Sequence, residues 1–420
     1  MPTSASGPLV ALQHRNFRLL WTGLLLSLSG SYMQNAALLW HVSTLVSPGR
    51  KALALGMVGL VKVVPIFTLS MVAGVVADAW DRRRLMLLTQ VASTLVSLGL
   101  AWTAFHHVTA VWPIYLLAGL GAAAGAFDPP ARHSLVPMLV PRAHLPSAIS
   151  LNSAMMQTAS IIGPSLGGVM MAVGGVGWAY LANAASFMAV IVAVLRLRDV
   201  PASQPGDGAR QRISWAAALE GIRFVFTSPT IRGTMLLDFC ATFFSSATGL
   251  LPLFAQDVLH VGAAGYGWLY SAPATGAVLA SVVMVTIMPR LSRRGAVLFW
   301  AVAAYGAATV GFGLSRSFIL SFLCLALTGA ADTVSTAIRS ILRQLETPDR
   351  LRGRMIGVNM LFVQGGPQLG ELEAGLVANA FGAVTSVVSG GVGCLIATAA
   401  LAFATPSLVR YRATTPVRDA

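Results

Sequence analysis

Six ionisable side chains stand inside long apolar runs of this chain: Lys62, Asp128, Asp238, Asp332, Glu371 and Glu373. Such a charge costs about 2.5–3.5 kcal/mol at the centre of a membrane-inserted helix, so it persists where it pairs, binds or moves a proton. Proton movement suits a carboxylate. Burial raises its pKa and an approaching cation lowers it, so a change of surroundings loads and unloads the proton. Asp238 and Glu371 are the first candidates for that role, with Asp332 third, because Arg339 or Arg343 could hold Asp332 as a structural pair.

Other chemistries find no support in the residue pattern. The histidines are scattered, and Cys240, Cys324 and Cys394 occur singly, so no metal site is expected. Neither lysine follows a glycine-rich loop, which removes ATP as an energy source. Gly163-Pro164-Ser165-Leu166-Gly167-Gly168 contains G-x-S-x-G. A hydrolase nucleophile needs a strand-to-helix turn there, whereas this run reads as a membrane helix whose small residues allow close packing. Neither a cofactor nor an enzymatic activity is expected.

Helical spacing sorts the polar residues into stripes. Thr328, Asp332, Ser335 and Arg339 share one face, as do Asp238, Thr242 and Ser245. Gln364, Gln368 and Glu371 form a third stripe, and Ser27, Ser31 and Gln34 a fourth. Each must face a cavity or a neighbouring helix, since lipid satisfies no hydrogen bond. Glu371 and Glu373 are two residues apart and cannot share a face.

The elements that carry these residues are apolar segments. Hydrophobic residues make up 56% of the 420 and charged residues 10%, with a mean hydropathy of +0.74. Soluble proteins carry about a quarter charged residues, so the class is integral membrane and all-α. Twelve spans are expected, near 19–45, 53–77, 85–105, 111–128, 148–172, 178–195, 231–256, 265–288, 296–314, 318–338, 355–378 and 385–405. The even-numbered connections and both termini hold nearly all the arginines, whereas the odd-numbered connections hold only Arg50, Lys51 and Arg316. Positive charge stays inside, so both termini are expected in the cytoplasm. The net charge of +14 forms no patch or stripe that would suit nucleic acid. The connection at 197–229, with Pro201, Pro205, Gly206 and Gly208, reads as a linker between a bundle at 1–196 and one at 230–420.

Those halves repeat each other. Gly125-Ala126-Phe127-Asp128 matches Gly329-Ala330-Ala331-Asp332. Arg132, Leu135, Pro141 and Asn152 match Arg339, Leu342, Pro348 and Asn359, and Gly163-Pro164-x-Leu166-Gly167 matches Gly366-Pro367-x-Leu369-Gly370. The turn Gly74-Val-Val-Ala-Asp78-Ala-Trp-Asp81-Arg82-Arg83-Arg84 lies between two apolar runs. It resembles the signature loop between helices 2 and 3 of the major facilitator superfamily, with Gly74, Asp78, Arg82 and Arg83 matching. Ala79 and Asp81 depart from that pattern. The connection from Pro129 to Leu135, the run Asn152–Gly168 and the segment Arg339–Glu371 resemble one subgroup, the secretion effectors and drug-efflux permeases that include the enterobactin exporter.

The resemblance implies the major facilitator fold, twelve transmembrane helices in two pseudo-symmetric six-helix bundles. It implies alternating access about a central site lined by spans 1, 4, 7 and 10, with Ser27, Ser31, Gln34, Thr242, Ser245, Thr328, Gln364 and Gln368 as cavity candidates. It makes Gly74, Asp78, Arg82, Arg83 and Asp128 a cytoplasmic gate, although arginines that merely anchor a turn would read the same. It makes Gly163, Pro164, Gly167 and Gly168 an antiporter motif. It places spans 2 and 11 side by side. Lys62 lies roughly 14 Å, and Glu371 roughly 11 Å, from the outer ends of those spans at 1.5 Å per residue. Lys62 paired with Glu371 or Glu373 would form a periplasmic gate, and a lone lysine reaching for the membrane surface is the alternative. The expected activity is proton-coupled export of a small organic molecule, a siderophore or a drug, by a monomer in a bacterial inner membrane. A proton-coupled importer of the same fold is the alternative, with a non-transporting membrane sensor behind it.

Overall fold

A computed structural model of the protein describes residues 9–198, 220, 223–245, 247–288, 291–348 and 351–412. Within these it does not describe the side chains at 70–72, 74, 75, 77–79, 131, 133, 134, 352–354, 356, 357, 360, 361 and 364. The expected linker at 197–229 therefore lies almost wholly outside the described residues, and so do the side-chain positions of Gly74, Asp78 and Gln364.

Twelve long helices follow one another among the described residues. They are α1 (Arg15–Leu45), α2 (Lys51–Ala79), α3 (Arg82–Phe105), α4 (Trp112–Leu135), α5 (Leu145–Gly174) and α6 (Val176–Leu195). Then come α7 (Pro229–Phe244), α8 (Gly262–Ile287), α9 (Arg294–Leu314), α10 (Phe318–Glu346), α11 (Arg352–Phe381) and α12 (Ala383–Ala404). Among the described residues, nine helical segments are long and apolar enough to cross a membrane. The helices outside that set are α1, α4 and α11, which carry the polar load: Ser27, Ser31 and Gln34; Asp128 beside Pro129 and Pro130; Gln368, Glu371 and Glu373.

Local chemistry explains the ends. Asp81 caps α3, its carboxylate accepting from the Arg84 N–H at 2.9 Å, which satisfies one free donor of the first turn. Gly175 and Gly382 have φ of +85° and +90° and join α5 to α6 and α11 to α12. Only glycine adopts that backbone without strain, so each bundle turns its last helix on one residue. Two expectations miss the observed ends. Helix α4 runs on through Pro129 and Pro130 to Leu135, and α10 runs on to Glu346 rather than stopping near 338. Helix α7 breaks after Phe244, and its continuation reaches Val258 through a short π-helical stretch.

The chain divides into two compact units. Unit 1 holds Met1–Pro48, Leu60–Gln211 and Val261–Ser271; unit 2 holds Gly49–Gly59, Arg212–His260 and Ala272–Ala420. In unit 1, α1 packs on α5 and α6, and α3 packs on α4 and α6. In unit 2, α7 packs on α11 and α12, and α9 packs on α10 and α12. The pairing pattern is the same in both. Phe17, Leu20, Met86, Leu135, Met155 and Val190 centre the core of unit 1. Leu237, Leu298, Val302, Ile338 and Leu342 centre that of unit 2. Val173, Trp300 and Phe403 are at least 75% exposed, as suits side chains that meet lipid.

Candidate functional site

In unit 2 the polar stripes of α7 and α10 meet at Arg339. Its guanidinium is 2% exposed. Nη1 lies 2.9 Å from the Asp238 carboxylate, and Nη2 lies 3.4 Å from Asp332 and 2.8 Å from the Thr336 hydroxyl. Asp238 is enclosed, with 7% of its side chain exposed, while Asp332 is 48% exposed. One helical turn on, Arg343 donates to the Arg339 carbonyl and to the side chain of Asn359 on α11. The spacing that put Asp332 and Arg339 on one face of α10 carries into a contact. The spacing on α7 could not show that Asp238 shares the same arginine. That pairing crosses from one helix to another, and periodicity along either helix is silent about it.

Arginine keeps its proton at any physiological pH, so the pair must stay anionic enough to balance it. Two carboxylates share the Arg339 guanidinium, and Arg343 brings a second positive charge within electrostatic reach of Arg339 and Asp238. The enclosed Asp238, at the shorter distance, balances Arg339. Asp332 lies at the longer distance and is the more exposed of the two.

The remaining candidates of unit 2 divide. Thr242 donates to the Asp238 carbonyl at 2.9 Å and Thr328 to the Leu325 carbonyl at 2.6 Å, so each hydroxyl proton is used within its own helix. Ser245 and Ser335 are buried, and the Ser335 hydroxyl has no hydrogen-bond partner among the described residues. Tyr305 on α9 lies within electrostatic reach of Asp238, Asp332 and Arg339, a neighbour that no motif announced. Glu371 packs its methylenes on Gly249, where a Cβ would sit 3.0 Å from Glu371 Cγ. Glu373, two residues on, is half-buried.

Unit 1 uses its polar residues mainly as ties between helices. Gln34 Oε1 accepts from the Ser97 hydroxyl at 2.6 Å and from Asn183 at 2.9 Å, which joins α1, α3 and α6. Ser27 donates to Gln90 at 3.5 Å, and Gln90 in turn donates to Asp128 at 2.9 Å. Ser31 donates to the Ser27 carbonyl at 2.9 Å. Lys62 donates to Asn35 at 3.1 Å. Arg82 lies against the Met138 sulfur at 3.0 Å, and Arg83 donates to the Leu195 carbonyl at 2.9 Å.

Small residues hold the closest helix contacts. A Cβ on Gly168 would sit 2.8 Å from Gly267 Cα on α8, one on Gly167 would sit 2.8 Å from Met33 Cγ, and one on Gly163 would collide with the Ser29 carbonyl of α1. The carbonyl of Pro164 lies 2.5 Å from a Cβ built on Gly267. In unit 2, a Cβ on Gly56 would sit 3.0 Å from Gly375 Cα, and one on Gly59 would sit 2.5 Å from the Gln368 carbonyl. These approaches explain why the first turns of α2 group with α11 and those of α8 with α5. Lys51, which opens α2, bonds Gln256 at 2.9 Å and Asp257 at 3.3 Å. Only the charge count marked Lys51 as unusual among the connections, and it named no partner.

The pattern that defines the transmembrane secretion effectors matches residues 6–414. The chain belongs to that family. Its members are transporters of the major facilitator type, and an enterobactin exporter of Shigella boydii serotype 18 is 30% identical over 347 residues, 82% of each chain. An enterobactin exporter of Escherichia coli O1:K1 matches equally. In fold, this secretion effector is similar to a bacterial homologue of the human lysosomal transporter Spinster, at a TM-score of 0.73 and 15% identity, covering 96% of this chain and 99% of that one. A bacterial homologue of the iron transporter ferroportin follows at 0.68 and 16%, covering 91% and 98%. The family is a transporter family, and the long apolar helices make the chain a multi-pass membrane protein.

Proposed function

We propose that the protein exports a small organic molecule, of siderophore or drug class, in exchange for protons. The observation that carries the proton half is one buried guanidinium shared by two carboxylates of unequal exposure. Protonating Asp332 leaves Arg339 balanced by Asp238; deprotonating it restores a negative charge beside the same arginine. Asp332 thus becomes the coupling residue and Asp238 its fixed counterion, which reverses the order that the residues alone suggested. Glu371 keeps a place as a second coupling candidate because its carboxylate stands within α11, which packs against the α7 that carries Asp238.

Export rests on the similarity to the enterobactin exporters and on the small-residue run from Gly163 to Gly168. The substrate is taken up by the inner stripes, and the two units rock to present it to either side. Gly74, Asp78, Arg82, Arg83 and Asp128 serve the cytoplasmic gate. Lys62 with Glu371 or Glu373 serves the periplasmic one. The protein works as a monomer in the inner membrane with both termini cytoplasmic.

The test is substrate-driven proton flux in proteoliposomes of the full chain, with enterobactin as the first substrate. Asp332→Asn should abolish the flux and keep substrate counterflow. Coupling that survives in both Asp332→Asn and Glu371→Gln removes the proton assignment. Accumulation in right-side-out rather than inverted vesicles makes the protein an importer.

A further inference from the structure

Arg132 stands in unit 1 where Arg339 stands in unit 2, and its surroundings are different. The residue is 4% exposed, and its Nε and Nη1 are enclosed without a hydrogen-bond partner among the described residues. Of the carboxylates described in unit 1, Asp128 is engaged by Gln90, and Asp81 caps α3 at the surface. A guanidinium cannot discard its proton to escape this position. Its helix is open next to it. Gly125 lies seven residues before Arg132, on the same face of α4, and a Cβ there would meet nothing within 4 Å. Side chains on a helix lean toward its N-terminus, so Arg132 leans toward that open turn. Tyr32 on α1 lies within electrostatic reach of the guanidinium.

We propose that Arg132 is the subsite that receives the oxyanion of the transported molecule, a carboxylate or phosphate held by the forked guanidinium. An enclosed guanidinium whose Nε and Nη1 have no hydrogen-bond partner among the described residues fits a partner that arrives and leaves. Arginine matches either oxyanion with two parallel N–H donors, which gives both affinity and orientation. This assignment rests on the transport reading and narrows its substrates to organic anions.

Benzoate, phenyl phosphate and neutral benzamide are the probes, applied to the purified full chain in lipid nanodiscs. Binding is read as radioligand saturation and as a shift of the unfolding temperature. Benzoate or phenyl phosphate should bind and stabilise the wild type, more weakly as salt rises, while benzamide should not. Arg132→Gln should weaken the preferred oxyanion about tenfold or more, and Arg132→Lys should fall between. Whichever of the two anions binds more tightly identifies the oxyanion. Equal response of wild type and Arg132→Gln to both anions, equal binding of benzamide, or no binding of either anion overturns the proposal. The transport reading is judged apart, by the proton flux of the wild type: flux without anion binding sinks the subsite alone, and absence of flux sinks the reading beneath it.

Discussion

Arg132 and Arg339 occupy matching places in the two repeats, yet one has two carboxylates and a hydroxyl around it and the other has no described partner. The glycines about two turns before Arg132 and about three turns before Arg339 differ in the same sense. A Cβ on Gly329 would collide with the Pro273 carbonyl of α8, whereas one on Gly125 would touch nothing. Helix α10 is thus clamped within unit 2 while α4 stands open at the same point of unit 1. Duplication gave the two bundles one helix-pairing plan, and the polar chemistry was then divided between them. Unit 2 surrounds its arginine with carboxylates, and unit 1 leaves two nitrogens of its arginine without a hydrogen-bond partner among the described residues.

The largest effect should come from stripping Arg339 of its nearer partner. Removing one member of a buried pair costs about 3–5 kcal/mol because the other is left charged and alone. Asp238→Ala should therefore lower the unfolding temperature and the yield of folded protein, and adding Arg339→Leu should recover much of the loss. Arg132→Leu should do the opposite and stabilise the ligand-free protein, measured in the same thermal assay. If Arg132→Leu destabilises as much as Asp238→Ala, the two arginines have equivalent surroundings and the contrast fails.

The glycine pair sharpens the same contrast at a smaller scale. Overfilling a packed contact costs about 1–3 kcal/mol, so Gly329→Ala should lose that much in denaturant or thermal unfolding while Gly125→Ala stays within error. Smaller still is Lys51→Ala. It removes a partly exposed pair with Asp257, worth about 0.2–1 kcal/mol, and should barely move stability. A change in transport rate without a change in stability would assign Lys51 to the conformational cycle.

Much of the architecture was legible in the chain. Apolar runs long enough to cross lipid must be helical, because nothing in a bilayer satisfies a bare backbone. The repeat of Gly-x-x-Asp, Arg and Gly-Pro-x-Leu-Gly foretold two bundles of one plan, since the same side chains at the same spacing meet the same neighbours. The stripes on α7 and α10 were equally visible, because side-chain direction along a helix follows from its period.

What lay beyond the reach of period and composition was the contact of one helix with another. Period and composition describe one helix at a time and carry no register of one against the next. Gln34 reads alone as a cavity residue, yet packing ties it to Ser97 and Asn183. Asp238 and Asp332, ninety-four residues apart by their numbering, share one guanidinium only because α7 and α10 are folded together. The chain determined which residues are costly to bury. Tertiary packing decided which of those costs are met by a neighbour, as at Arg339, and which are not met among the described residues, as at two nitrogens of Arg132.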